Sequence, residues 1–239
     1  TAACSSTRWS PGRIAACHGL PRMKTNSDSA PAVSDRYAIG ERVMREAFTQ
    51  AKLPEGFEWL NPPARLALGD GLLIETRAET DFWQGTHYGF RRDDGHALLK
   101  KMTGDFSLTT RVLFSPRTRY DQCGLMVRLD AENWIKVSTE YEDAACSRLG
   151  SVVTNLGYSD WATQDVSSAG REKWYRISKR GQDFLIEHAD DGQVWVQQRI
   201  AHLHRPADEV LAGLYACSPQ GAEFSCRFLH LEVAPNAWR

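Results

Sequence analysis

No apolar run in this chain approaches the roughly 20 residues that a membrane-crossing helix needs, so no membrane partner is expected. There is no basic surplus either. Lys and Arg number 29 against 30 Asp and Glu, a formal net charge of −1, whereas binding a phosphate backbone requires a local excess of cations. Nucleic acid is therefore not the expected partner. The six cysteines include no CxxC pair and no histidine at zinc spacing, so neither a metal nor any other cofactor is expected. A GxSxG nucleophile elbow, a phosphate-cradling glycine loop and an HExxH helix are all missing.

The chain is compositionally ordinary, with 42% hydrophobic and 25% charged residues, and its organisation shows in patterning. Residues 1–36 are rich in Ala, Ser, Thr, Arg and Pro, carry no acid before Asp28 and lack any helix or strand period. Without a continuous apolar segment they do not form a secretory signal and read as a disordered extension. Two other readings stand: an organelle transit peptide, suggested by Arg8, Arg13 and Arg22, or sequence upstream of a start at Met23 or Met44. Residues 37–56 are expected to be a short helix and linker, with Val43, Ala47 and Phe48 on one helix side.

From Phe57 to Val233 the period becomes two. The segments 71–77, 105–114, 123–129, 133–141, 149–156, 173–180, 183–189, 194–200, 209–218 and 222–233 all alternate apolar and polar residues. Turn signals such as Asp94-Gly95, Asp191-Gly192 and Ser218-Pro219 separate them. So many strands without intervening helix imply an all-β domain, an antiparallel sandwich or barrel, over residues 57–233, with a short tail at 234–239. Cys123, Cys217 and Cys226 fall inside strand-like runs, where a free cysteine behaves as a small buried hydrophobe. Read as reduced, they fit a cytoplasmic protein, with pairing among them left open.

The segment YDQCGLMVRLDAENWIKVSTEYED (120–143) assigns faces. Trp134, Lys136, Ser138 and Glu140 share one side of their strand, and Gln122 and Arg128 lie on the same side of the strand before it. One reading is a wet sheet face on which Arg128 or Lys136 pairs with Glu140. The other, preferred, is the floor of a ligand groove: Trp134 as a stacking platform, Lys136, Glu140, Gln122 and Arg128 as polar contacts, and Asp121, Trp83 and His96 at the border. Phe82, Tyr88 and Phe90 read as rings that pack their own loop, and Asp160 as a turn cap.

The motifs FEWLNPP (57–63), TDFWQGTHYGFRRDDGHAL (80–98), the segment 120–143, SVVTNLGYSDWA (151–162), KWYRI (173–177), DGQVW (191–195) and GLYACSP (213–219) occur in that order. Together they resemble the domain-of-unknown-function family named for a yeast regulator of enolase. That family is similar to the concanavalin A-like lectin and glucanase superfamily. The resemblance runs from about Phe57 to Val233 and implies a jelly roll of two antiparallel sheets, one of them concave. It further implies a carbohydrate or sugar-phosphate-like ligand on the concave sheet, or a regulatory protein that binds a metabolic enzyme such as enolase. Retaining glucanases place two carboxylates about 5–5.5 Å apart. The W-x-K-x-S-x-E strand offers only Glu140, which a neighbouring Lys136 is expected to hold ionised. A non-catalytic binding module is therefore expected. A degenerate glycoside hydrolase remains the alternative, its second acid coming from Asp81, Asp121 or Asp160.

Overall fold

The computed structural model describes residues 43–221 and 223–239. The expected extension over 1–36, and the first half of the expected helix, lie outside the described residues. Within them all regular structure is β. In chain order the strands are β1 (Met44–Glu46), β2 (Glu58–Leu60), β3 (Arg65–Ala67), β4 (Leu72–Glu75), β5 (Phe82–Gln84) and β6 (Arg91–Asp93). Next come β7 (His96–Thr103), β8 (Phe106–Ser115), β9 (Gln122–Asp130), β10 (Asn133–Tyr141), β11 (Cys146–Asn155) and β12 (Tyr158–Ser167). The last are β13 (Glu172–Arg180), β14 (Asp183–Ala189), β15 (Val196–His202), β16 (Glu209–Cys217) and β17 (Ser225–Ala234).

Two large antiparallel sheets form a sandwich. One has the order β15-β14-β13-β8-β17-β4-β3, with β1 also paired to β17; the other has the order β12-β11-β10-β9-β16-β7-β2. The main core combines alternate residues of both sheets, among them Leu125, Val127, Ile135 and Val137 from one and Leu108, Val112, Ile177 and Phe228 from the other. This follows from the period-two pattern, since a strand's successive side chains point to opposite faces. Cys123, Cys217 and Cys226 are buried free thiols, and Cys146 is free and partly buried.

The expected N-terminal helix is corrected by the structure. Met44, Arg45 and Glu46 pair with Val233, Glu232 and Leu231. Burial alternates residue by residue from Val43 to Phe48, and Phe48, at φ 56°, is fully buried in the sandwich core. The apolar spacing that suggests one helix face also suits a strand ending in a single buried ring, and tertiary burial overrides local propensity.

A second, smaller core lies on the outer side of the seven-stranded sheet. There the two-stranded ribbon β5–β6 lies over the sheet, and Phe82 packs edge-on against Trp134 (centroids 6.2 Å apart) and Tyr215 (6.3 Å). Aromatic pairs at such separations add about 0.5–1.5 kcal/mol beyond the area they bury. Gly124 keeps the sheet beneath them tight, because a Cβ there would stand 1.9 Å from the Val137 carbonyl oxygen.

Candidate functional site

The outer row of β10 runs Trp134, Lys136, Ser138, Glu140. Its neighbours across β9 are Arg128, Met126, Gly124 and Gln122. Four of the residues expected in a groove are used up by the fold. Trp134 is fully buried beneath Phe82, and its Nε1 donates to the Ala131 carbonyl at 3.1 Å. It is a core residue with no face left for stacking. Arg128 is buried and makes a bidentate pair with Asp93 of the ribbon, at 2.6 and 2.7 Å. Asp121 accepts hydrogen bonds from the Arg117 and Thr118 amides, both at 2.8 Å, and from the Ser218 hydroxyl at 2.6 Å. His96 accepts at Nε2 from the Arg77 amide (2.9 Å), and its Nδ1 donates to the Asn61 carbonyl (2.7 Å). Burial lowers the His96 pKa despite that carbonyl, so it is a neutral clamp between two loops.

The other four, Lys136, Glu140, Gln122 and Trp83, line one cavity of about 440 Å3 together with Asp81, Tyr88, Tyr120 and Trp161. Gln122 is oriented at both ends, its Nε2 donating to the Tyr120 carbonyl (3.1 Å) and its Oε1 accepting from the Tyr215 hydroxyl (3.1 Å). Trp83 donates from Nε1 to the Thr86 carbonyl at 3.0 Å, which fixes its ring in the wall. The Lys136 ammonium, almost wholly buried, donates to the Phe82 carbonyl at 3.0 Å and lies 3.4 Å from Asp81 Oδ1. Burial works against its charge, but Asp81 and Glu140 outweigh it and hold its pKa above the ordinary value.

Glu140 differs from its neighbours. The residue is 7% exposed, yet its carboxyl enters none of the side-chain hydrogen bonds among the described residues. Burial raises its pKa to about 7, against the opposing pull of Lys136 and with further upward pushes from Asp81 and Glu142. The expectation that Lys136 holds Glu140 ionised is thus corrected: desolvation exceeds the attraction of an ammonium already shared with Asp81. Near neutral pH this carboxyl can donate or accept a proton. Glu142, one residue past β10, lies outside the row and bonds Arg148 Nε at 3.2 Å.

Asp81, Tyr120 and Trp161 complete the cavity from three separate segments. Asp81 carried a sequence signal only as a carboxylate in an aromatic-rich loop. Tyr120 owes its place to a positive φ of 71° that no residue type announces. Asp160, next to Trp161, is no turn cap; it belongs to β12 and pairs with Arg199 at 2.9 Å. Among the described residues no cluster of three or more His, Cys, Asp or Glu could hold a metal, and no helix is long and apolar enough to cross a membrane.

Comparison with known proteins adds a family to this geometry. The chain is 37% identical over 163 residues to "Regulation of enolase protein 1" of Saccharomyces cerevisiae, covering 68% of this chain and 81% of that protein. A solved structure of a functionally unknown protein from Saccharomyces cerevisiae is 33% identical, with a TM-score of 0.71 over 77% of this chain and 98% of that one. The GH43 BlXynB protein from Bacillus licheniformis has a TM-score of 0.64 at 12% identity, covering 80% of this chain but 39% of its own. That second likeness is one of fold alone. The sequence pattern of a family described as "Protein of unknown function (DUF1349)" matches residues 59–236, and the chain belongs to that DUF1349 family.

Proposed function

We propose that the chain is a non-catalytic binding protein whose cavity takes an uncharged, saccharide-like ring. The observation that carries this reading is the Glu140 carboxyl, buried and without a hydrogen-bond partner among the described residues, at the wall of a cavity lined by aromatic rings. Its oxygens are not among the sealed, unpartnered polar atoms of the described residues, so they reach the cavity, where a ligand hydroxyl would bond them. Trp83, Tyr88, Tyr120 and Trp161 supply ring faces for the apolar side of a sugar. Charge argues against a phosphorylated ligand. Lys136 is already committed to Asp81 and Phe82, and Arg92 to Asp94 at 2.7 Å, so neither cation of the wall is free to take a phosphate.

Hydrolysis fits less well. Asp81 is the second carboxylate of the cavity, and its Oδ1 accepts from the Phe82 amide at 2.7 Å and faces Lys136, whose positive charge holds it as an anion suited to structure rather than to delivering a proton. The buried free thiols suit a reducing compartment such as the cytoplasm. A second reading, a regulatory protein that binds a metabolic enzyme, rests on the name of the yeast relative.

A glycan array followed by calorimetric titration tests the first reading. A neutral saccharide should bind, and Glu140→Ala should weaken it about tenfold, the loss of one hydrogen bond to a charged or polarised carboxyl. Absence of any bound glycan at millimolar concentration would reject the reading. Recovery of one enzyme in a pull-down by the same glycan-inert protein would favour the second.

A further inference from the structure

A second cavity of about 580 Å3 adjoins the first, and Trp83, Tyr88 and Trp161 line both. The shared wall is the tip of the β5–β6 ribbon, where Tyr88 stacks on Phe90 (5.7 Å, 23°) and meets Trp83 edge-on (5.4 Å). Beyond it, Tyr158 at the start of β12 lines only the second cavity and is 64% exposed. The Arg91 guanidinium lies 5.7 Å from its ring centroid, which holds the ring in place.

Two polar groups of the second cavity, those of Asp160 and Ser159, are committed, while the Trp161 Nε1 has no partner among the described residues. Asp160 is paired with Arg199 at 2.9 Å, and the Ser159 hydroxyl bonds the Gln84 amide (2.9 Å) and Thr154 (2.8 Å). The aromatic wall of the first cavity, Trp83, Tyr88 and Trp161, thus continues into the second, whose one carboxylate, Asp160, is neutralised by Arg199. Both volumes fall within the roughly 300–1,000 Å3 of small-ligand sites, and two adjoining sites of like chemistry suit a repeating ligand better than a single ring. Resting on the saccharide reading above, we propose that the second cavity is an adjoining subsite and that the ligand is a linear oligosaccharide. Its terminal unit enters beside Glu140, and its next units cross Tyr88 and Trp161 to lie on Tyr158.

Calorimetric titration with three length series tests this: xylose to xylohexaose, glucose to cellohexaose, and arabinose to arabinohexaose. In at least one series the affinity should rise about tenfold or more from monomer to trimer and then level off. Tyr158→Ala should remove at least fivefold of the trimer's affinity and leave the monomer's unchanged, while Tyr158→Phe restores the gain. A thermal melt of each variant verifies that the fold is intact. If a monomer binds as tightly as every longer member, the subsite is rejected while the Glu140 pocket stands. A trimer gain that survives Tyr158→Ala also rejects it. No binding in any series rejects the subsite and the saccharide pocket together.

Discussion

The two ends of one strand face have opposite fates. At the start of β10, Trp134 lies under Phe82 with no exposed surface; at its end, Glu140 borders a cavity and makes no side-chain hydrogen bond among the described residues. Both residues project from the same side of the same sheet, six positions apart. The β5–β6 ribbon treats them differently, since Phe82 packs onto the first end while Trp83 and Tyr88 wall a cavity beside the second. Alternation therefore identifies which residues share a face, and the covering segment decides which of them can meet a ligand.

The largest expected effect comes from removing the cover. Phe82→Ala deletes a fully buried ring that touches Trp134 and Tyr215, and should cost about 3–5 kcal/mol in urea unfolding. Tryptophan emission should shift to the red as Trp134 gains water. A loss below about 1 kcal/mol, or unchanged emission, would mean that the ribbon does not seal that end.

At the open end the corresponding lever is pH. The Glu140 carboxyl titrates at about 7 in the folded chain, against an ordinary value of 4.5. Between those values the folded state retains a proton that the unfolded state has released. Stability from this group is therefore complete below the lower value and declines as pH rises through the window, by roughly 3 kcal/mol at most. Glu140→Gln has no proton to lose, so its stability relative to the parent should rise from pH 5 to pH 8 by an amount of that order. Urea titrations at the two pH values measure it. A difference independent of pH would show that Lys136 keeps the carboxylate charged throughout.

The smallest effect on the fold belongs to the wall. Tyr88 is half exposed on the ribbon tip, so Tyr88→Ala should change unfolding free energy by no more than about 0.5 kcal/mol. The same substitution should weaken any saccharide found by the array, because this ring faces both cavities. Loss of stability without loss of binding would reverse the roles assigned to the cover and the wall.

The sequence made the sandwich legible wherever one strand side meets the core and the other is distinguishable from it. In β9 and β10 the contrast is one of residue type, because Gln122, Arg128, Lys136, Ser138 and Glu140 are polar on the outer side although they are buried. β7 lacks that contrast, because Ala97 and Leu99 are apolar on the outer side as Leu98 and Met102 are on the core side, which erases the alternation. β12 fails for the opposite reason: an edge strand with most residues at least partly exposed has no apolar side to announce. β1, β2 and β3 are three residues each, too short for any period to emerge. In the site, Lys136, Glu140, Gln122 and Trp83 were recognisable as a polar and aromatic set. Their separation from Trp134, Arg128, Asp121 and His96 was not, since it depends on Phe82, Asp93, Ser218 and Asn61 arriving from distant segments. The charge of Glu140 was beyond reach for the same reason, because it follows from burial depth and from Asp81, 59 positions away along the chain.

The pairing of Met44 with Val233 sets how the folded unit would respond to force. β1 lies along the same side of β17 as β4, which pairs with Ser225 to Phe228 further back, while β8 occupies the other side. The chain thus enters and leaves this sheet at adjacent, hydrogen-bonded positions running in opposite directions. Tension applied through the two flanks would peel β1 away from β17 one rung at a time, as a zip opens, rather than load all its bonds in shear. The same adjacency stands Met44 beside Val233, so a unit bounded by those two residues could be spliced into a surface loop of a host protein without rearranging the sheets.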